Sequence, residues 1–276
     1  MAHPPFPLLD TPPPDGLREL LDGERVGFVL RNVFPESVLQ AAVARLEDRT
    51  AGWSWTPQQT WDVSERQFVL LGQSNTPNVG LPDGPERGEY LDAAVRFRAD
   101  AARVFGDWEL EEALVSVASR LAGGRPVEVV REGDGRPYMP ATIRRLPPGT
   151  AIPLHCGGFF LESGGYDHLR ELLDARAQIS WFVPLQTPDD GGVLQVGDLA
   201  WGAPDVPRLE EGFWDADAIL AQRRFTPVRP RVGDMVVFDG GRWFHHVEPI
   251  RGARTRWTVG GFLGLSADRT RVLYWN

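Results

Sequence analysis

The sequence contains no lysine, and its 29 cationic side chains other than histidine are all arginine. Lysine Schiff-base chemistry is therefore excluded, and any anionic ligand must be held by arginine, histidine or backbone N–H groups. Against 38 acidic residues the formal net charge is −9, so no basic surplus is available to neutralise a phosphate backbone and nucleic-acid binding is not expected. Cysteine occurs once, as Cys156, which rules out an internal disulfide framework and a cysteine-rich zinc site. A reducing, cytoplasmic location is the simplest expectation. No apolar run approaches the ~18 residues of a membrane span. The opening residues, MAHPPFPLLDTPPPDG, lack the basic and apolar regions of a secretory signal, and their prolines read as an irregular arm.

What is present is enough apolar material for one large domain: 42% of 276 residues are hydrophobic. The first half carries helical periodicity. FPESVLQAAVARLEDRTAG puts Val38, Leu39, Ala42, Val43 and Leu46 on one face and stops near Gly52. GEYLDAAVRFRADAARVFGDWELEEALVSVASRLAGG predicts two helices broken around Gly106 and ended by Gly123 and Gly124. The stretch LLGQSNTPNVGLPDGPERGE, rich in Gly, Pro and Asn, predicts a long loop, with Gly72 to Gly84 a candidate lid.

From about residue 126 the period changes to short β-rich runs divided by turns: PVEVVRE, MPATIRRL, AQISWFVPLQ, GVLQVGDLAWG, GDMVVFDGG, RWFHHVEPI, TRWTVGGFLGL and RVLYWN. YDHLRELLDARA and EGFWDADAILAQRR read as helical insertions. The expectation is one α+β domain over 1–276, in which an arm and supporting helices (1–125) buttress a β-barrel-like core (126–276).

There are five histidines. His3 lies in the arm and His168 on a predicted exposed helix. The others sit on β-runs about 90 residues apart, in AIPLHCGGFFLES and RWFHHVEPI. His155 and residue 157 would share a strand face, the geometry by which one strand supplies two metal ligands. With a distant histidine this gives a 2-His-1-carboxylate facial triad that leaves coordination positions open. Residue 157, however, is glycine. Arg256 follows His246 by ten residues and shares its strand face with Thr258, so a guanidinium and a hydroxyl are placed to clamp a carboxylate. By the same parity Gly260 and Phe262 face inward.

These segments resemble the double-stranded β-helix (jelly-roll, cupin-like) core of the Fe(II)/2-oxoglutarate-dependent oxygenases, whose pattern is His-x-Asp/Glu, a distal His and an Arg or Lys about ten residues beyond. More narrowly, the chain resembles a bacterial N-substituted (N-succinyl) L-amino-acid β-hydroxylase. The resemblance implies Fe(II) on His155 and His246, 2-oxoglutarate on Arg256 and Thr258, and a substrate wall at Phe262. It also implies dioxygen and a small anionic N-acyl amino acid as substrates, with no nucleic-acid or membrane partner and a homodimer left open. His245 rivals His246, because HHV also fits His-x-Val and adjacent strand residues point oppositely. Arg87, Arg144, Arg145 and Arg170 are candidates for the substrate carboxylates.

Three readings of Gly157 stand open. The triad is broken; or another carboxylate such as Glu162 substitutes, which strand parity disfavours; or an external anion takes the position. The last resembles the Fe(II)/2-oxoglutarate halogenases, which carry Gly or Ala there and bind chloride to iron, making Gly157 the residue that decides the chemistry. The likeness of the rest to a hydroxylase favours an Asp-to-Gly replacement over a natural glycine. The runner-up to an enzyme is a carboxylate-binding β-barrel without redox chemistry.

Overall fold

The computed structural model describes residues 3–57, 68–74, 87–162, 167–174, 178–210 and 212–276. In chain order its strands are β1 (Leu8–Leu9), β2 (Gly27–Leu30), β3 (Trp55–Pro57), β4 (Val69–Leu71), β5 (Val127–Val129), β6 (Thr142–Leu146), β7 (Ile152–His155) and β8 (Ile179–Gln186). There follow β9 (Asp190–Gly191), β10 (Leu194–Ala200), β11 (Phe225–Val228), β12 (Met235–Phe238), β13 (Trp243–Val247), β14 (Ile250–Arg251), β15 (Arg256–Leu265) and β16 (Val272–Trp275). The helices are α1 (Gly16–Leu21), α2 (Glu36–Glu47), α3 (Arg87–Phe105), α4 (Leu110–Leu121), α5 (Gly157–Glu162), α6 (Asp167–Leu172) and α7 (Ala216–Gln222).

The apolar stripe that predicts α2 does bury Leu39, Ala42, Val43 and Leu46, and each fully buried leucine contributes about 1.5–3 kcal/mol. The break between α3 and α4 is Gly106, whose φ of +67° is cheap only for glycine and whose N–H caps the helix by donating to Ala102 O at 2.9 Å. Every β-run expected after residue 126 contains a strand, and both insertions contain a helix, α6 and α7. The first 71 residues also supply four strands, which the helical reading did not anticipate. GFVL in β2 is buried at all four positions, so no alternation marks it as a strand. The loop expected at 72–84 lies outside the described residues from position 75 onward.

The strands form a large sheet, ordered β1-β2-β12-β8-β15-β6-β4-β3 with β16 bridging β15 and β5, and a four-stranded sheet ordered β11-β10-β13-β7. One apolar cluster joins them: Phe182, Val236 and Phe238 from the large sheet meet Leu194, Val196, Val228 and Val247 from the small one. The inner faces are therefore packed on each other as in a jelly roll. The outer face of the large sheet carries Trp181, Val183, Val259 and Leu263, which pack with Leu39, Leu91, Phe97 and Leu114 of α2, α3 and α4. The helices thus back one side of the barrel and leave the space between the sheets for a site. Among the described residues no helix is long and apolar enough to cross a membrane.

Candidate active site

Strand register decides which histidines meet. β7 and β13 are antiparallel neighbours, with His155 directly opposite His245. Directly opposed residues project to the same face, and the two imidazoles stand 4.1 Å apart between ring centroids. His246, one residue on, projects to the other face, where its ring meets Phe225 edge-on at 5.1 Å. The expectation that His246 pairs with His155 is thus not met: the period of two turns it away, and His245 takes its place. His3 lies against Trp243 and faces Gly197 O, and His168 faces Arg131 O, so neither joins the pair.

Both inward imidazoles are set up alike. His155 Nδ1 lies 2.8 Å from Pro153 O and His245 Nδ1 lies 2.8 Å from Trp243 O. A carbonyl accepts only a proton, so Nδ1 donates in both rings and Nε2 keeps its lone pair. Burial pushes the His155 imidazole down to about 4, against a partly offsetting bond to Pro153 O, with Arg144 and His246 lowering it further. Burial pushes His245 well below its ordinary value too, helped by His155. Two neutral imidazoles oriented in this way, with Phe238 against His245 at 4.9 Å and Phe160 at 6.3 Å from His155, form a donor pair suited to a divalent metal.

Among the described residues no set of three or more His, Cys, Asp and Glu side chains is gathered to hold a metal. Glu162 is exposed and accepts a bond from Trp201 Nε1 at 2.9 Å. β7 ends at His155 and Gly157 opens α5, so the strand-parity argument stops short of position 157. Gly157 instead donates its N–H to Gly240 O at 2.8 Å. A Cβ added to it would stand 2.8 Å from Gln178 Nε2, 2.9 Å from Gln178 Cδ and 3.0 Å from Gly240 O. The place where a side chain would begin is bordered by the Gln178 carboxamide, a neighbour that no motif or spacing singles out.

On the facing sheet β15 supplies Arg256, Thr258, Gly260 and Phe262 at every second position. Arg256 is 7% exposed, stacks over the Phe182 ring at 5.4 Å, and has no acidic partner among the described residues. Thr258 is fully buried and lies opposite Arg144 of β6. Burial pushes each guanidinium down to about 10, with Arg144 adding to the effect on Arg256. Arg144 also acts electrostatically on His155 and His245, so it stands within reach of both the imidazole pair and Arg256. A buried Arg256 and a half-buried Arg144, neither with a carboxylate partner among the described residues, call for an anion. Arg256 and Phe182, with Gln186, Leu194 and Val228, line a cavity of about 230 Å³.

Of the other arginines proposed for substrate, Arg145 lies over the Trp257 ring on the outer face and Arg170 is exposed and bonds Leu161 O. The side chain of Arg87 lies outside the described residues. Phe262 is half-buried beside Trp275, 5.9 Å between rings, and lies opposite Ser180 of β8.

A jelly-roll barrel with two inward histidines on one sheet and a buried arginine on the other defines the architecture of the 2-oxoglutarate–Fe(II) oxygenases. Solved structures agree on that fold. The N-substituted L-amino acid dioxygenase from Burkholderia ambifaria AMMD matches with a TM-score of 0.52 and 14% identity, over 94% of this chain and 90% of its own. The carbocyclase SnoK from nogalamycin biosynthesis, a non-heme α-ketoglutarate-dependent protein, matches with a TM-score of 0.51 and 16% identity over 94% and 86%. No curated protein sequence matches the chain. The model of the carrier-protein-independent halogenase WelO5 family matches residues 11–276, and the chain belongs to that family.

Proposed function

We propose that the protein is an Fe(II)- and 2-oxoglutarate-dependent halogenase that places chlorine on an aliphatic carbon of a free, anionic N-acyl amino acid. The observation that carries this reading is the convergence of the His155 and His245 imidazoles beside a glycine at 157, with no acidic side chain among the described residues to complete the set. Iron is assigned to His155 and His245. The distal carboxylate of 2-oxoglutarate is assigned to Arg256 and Thr258, and Arg144, between that end and the histidines, supplies the second cation. Membership of a halogenase family supports reading Gly157 as the natural residue rather than as a replaced aspartate. The likeness to the amino acid dioxygenase is one of fold, so its substrate class enters here only as the first to try.

Charge supports the halide. A facial triad brings one carboxylate to the metal; here no described side chain brings that charge, while Arg256 is buried and the half-buried Arg144 adds a second cation. Chloride supplies the charge. The bound metal, with 2-oxoglutarate and dioxygen, supplies the oxidising power for hydrogen abstraction from carbon. The balanced reaction consumes the substrate C–H, chloride, dioxygen, 2-oxoglutarate and one proton. It gives the C–Cl bond, succinate, carbon dioxide and water; 2-oxoglutarate and the substrate each supply two of the four electrons that dioxygen takes. The chain's own part is to orient. Arg256 fixes one end of the cosubstrate, the Nδ1 bonds fix the imidazoles, and Phe238 and Phe160 keep bulk water from them.

The test is product mass after anaerobic loading with Fe(II), 2-oxoglutarate and N-succinyl-L-leucine, followed by oxygen, with and without chloride. A chlorine isotope pattern that appears only with chloride is the expected result. A hydroxylated product alone overturns the halide assignment. Untouched 2-oxoglutarate, even with other N-acyl amino acids, overturns the enzyme reading in favour of a carboxylate-binding barrel.

A further inference from the structure

We infer that Gln178 holds the halide in the space that Gly157 leaves open, and so selects an anion over water at that position. The inference rests on the halogenase reading above and adds to it a residue that acts on the bound anion rather than on the metal.

Gln178 is buried, 2% exposed, just ahead of β8. It has the parity of Ser180 and Phe182, whose side chains turn toward the small sheet. Its backbone is pinned by Gly241 N–H, which donates to Gln178 O at 2.8 Å. Gly240 in turn accepts from Gly157, so the 240–241 turn fixes both ends of the gap between Gln178 and Gly157. Across that gap the carboxamide Nε2 lies 2.8 Å from where a Cβ at 157 would be. The other carboxamide atom, Oε1, is fully buried without a hydrogen-bond partner.

The donor end of the carboxamide faces the place where the acidic ligand is missing, and what belongs there is an anion that accepts N–H bonds. Chloride takes such a bond; a Cβ at residue 157 would first have to push the carboxamide aside. Glycine at 157 and glutamine at 178 are therefore one arrangement: the first makes room and the second fills part of it with a donor. Arg144, whose charge reaches both imidazoles, biases the same region toward an anion.

The test uses the full chain loaded with Co(II) and 2-oxoglutarate under argon and titrated with chloride, read from the cobalt d–d absorption. This readout does not depend on turnover. Gln178→Leu removes the donor at similar volume, and Gln178→Glu keeps the shape and reverses the electrostatics. A hydrogen bond to a charged group carries enough free energy to raise the chloride dissociation constant of Gln178→Leu about ten- to a hundredfold. In Gln178→Glu the chloride response disappears. In both, the 2-oxoglutarate affinity stays within about twofold and thermal unfolding remains a single transition. Gln178→Leu also loses an unpaired acceptor, so its unfolding temperature is not lowered. Chloride midpoints of both variants within threefold of the parent overturn the role of Gln178 while leaving the halogenase reading intact. A parent protein whose cobalt spectrum ignores chloride overturns that reading and this inference together.

Discussion

Replacing Arg256 by methionine separates binding from stability, because the two effects have opposite signs. The Arg256 guanidinium is buried to 7% exposure and its pKa is pushed down from its ordinary value to about 10, by burial first and by Arg144 second. A cation with a lowered folded-state pKa opposes folding wherever it is charged in both states, so the penalty is complete below pH 10 and is lifted only as pH rises from 10 toward the ordinary guanidinium value. At pH 7 that shift corresponds to about 3 kcal/mol against folding. Methionine keeps much of the volume over Phe182 and carries no charge. The ligand-free Arg256→Met protein is therefore expected to be more stable than the parent, by about 1–3 kcal/mol once solvent relaxation is allowed for. With 2-oxoglutarate and Mn(II) the order reverses. The parent gains about 2.7 kcal/mol at a hundredfold excess over its dissociation constant, and the variant, without its bidentate partner, gains almost nothing. Urea unfolding at pH 7 with and without ligand measures all four values. A ligand-free variant that is less stable by more than 1 kcal/mol, or one that keeps the full gain on adding 2-oxoglutarate, refutes this account of Arg256.

The two adjacent histidines provide a sharper contrast. His245→Ala is expected to abolish stoichiometric Co(II) binding, whereas His246→Ala keeps it and loses only the edge contact with Phe225, about 1 kcal/mol of stability; calorimetric titration with Co(II) reads both. Gly157→Asp forces its Cβ against Gln178 and Gly240 O, costs about 1–3 kcal/mol by overpacking, and shifts product from chlorinated to hydroxylated in the same mass assay. The Cys156 thiol is fully buried and pushed up to about 12 by that burial. Native protein at pH 8 should react with a disulfide reagent only on unfolding. Because the unfolded thiol ionises first, its contribution to stability falls as pH rises from about 9 to 12.

Much of this was legible in the sequence because it follows from periodicity. The apolar spacing of α2, the glycine that ends α3 and the run of short strands after residue 126 are local signals, and the structure places them where they were expected. The burial of Arg256 and Thr258 on one face of a strand was also legible, since it needs only a strand and its period of two. What escaped depends on register between strands. Parity says that one of His245 and His246 faces the barrel, but only the pairing of β13 with β7 says which, and spacing to Arg256 pointed the wrong way because two turns of chain intervene.

Arg144 and Arg145 pose the same ambiguity within TIRRL, where Thr142 and Ile143 are both buried and no alternation marks the inner face. The helix opening at Gly157 is hidden by two consecutive glycines, the poorest helix formers after proline. Gln178 was invisible for a different reason: its partner is a missing side chain, and only coordinates show what has moved into the gap.

The central claim is that two histidines and a halide share one metal. It is tested most directly by X-ray absorption at the iron edge of the anaerobic Fe(II)–2-oxoglutarate protein, with bromide in place of chloride. The account predicts a light-atom shell that includes imidazole scattering and one heavy scatterer at bonding distance that appears only with bromide. In the His245→Ala protein both signals are lost, and in His246→Ala both remain. An iron shell of light atoms alone, unchanged by bromide, would contradict the account.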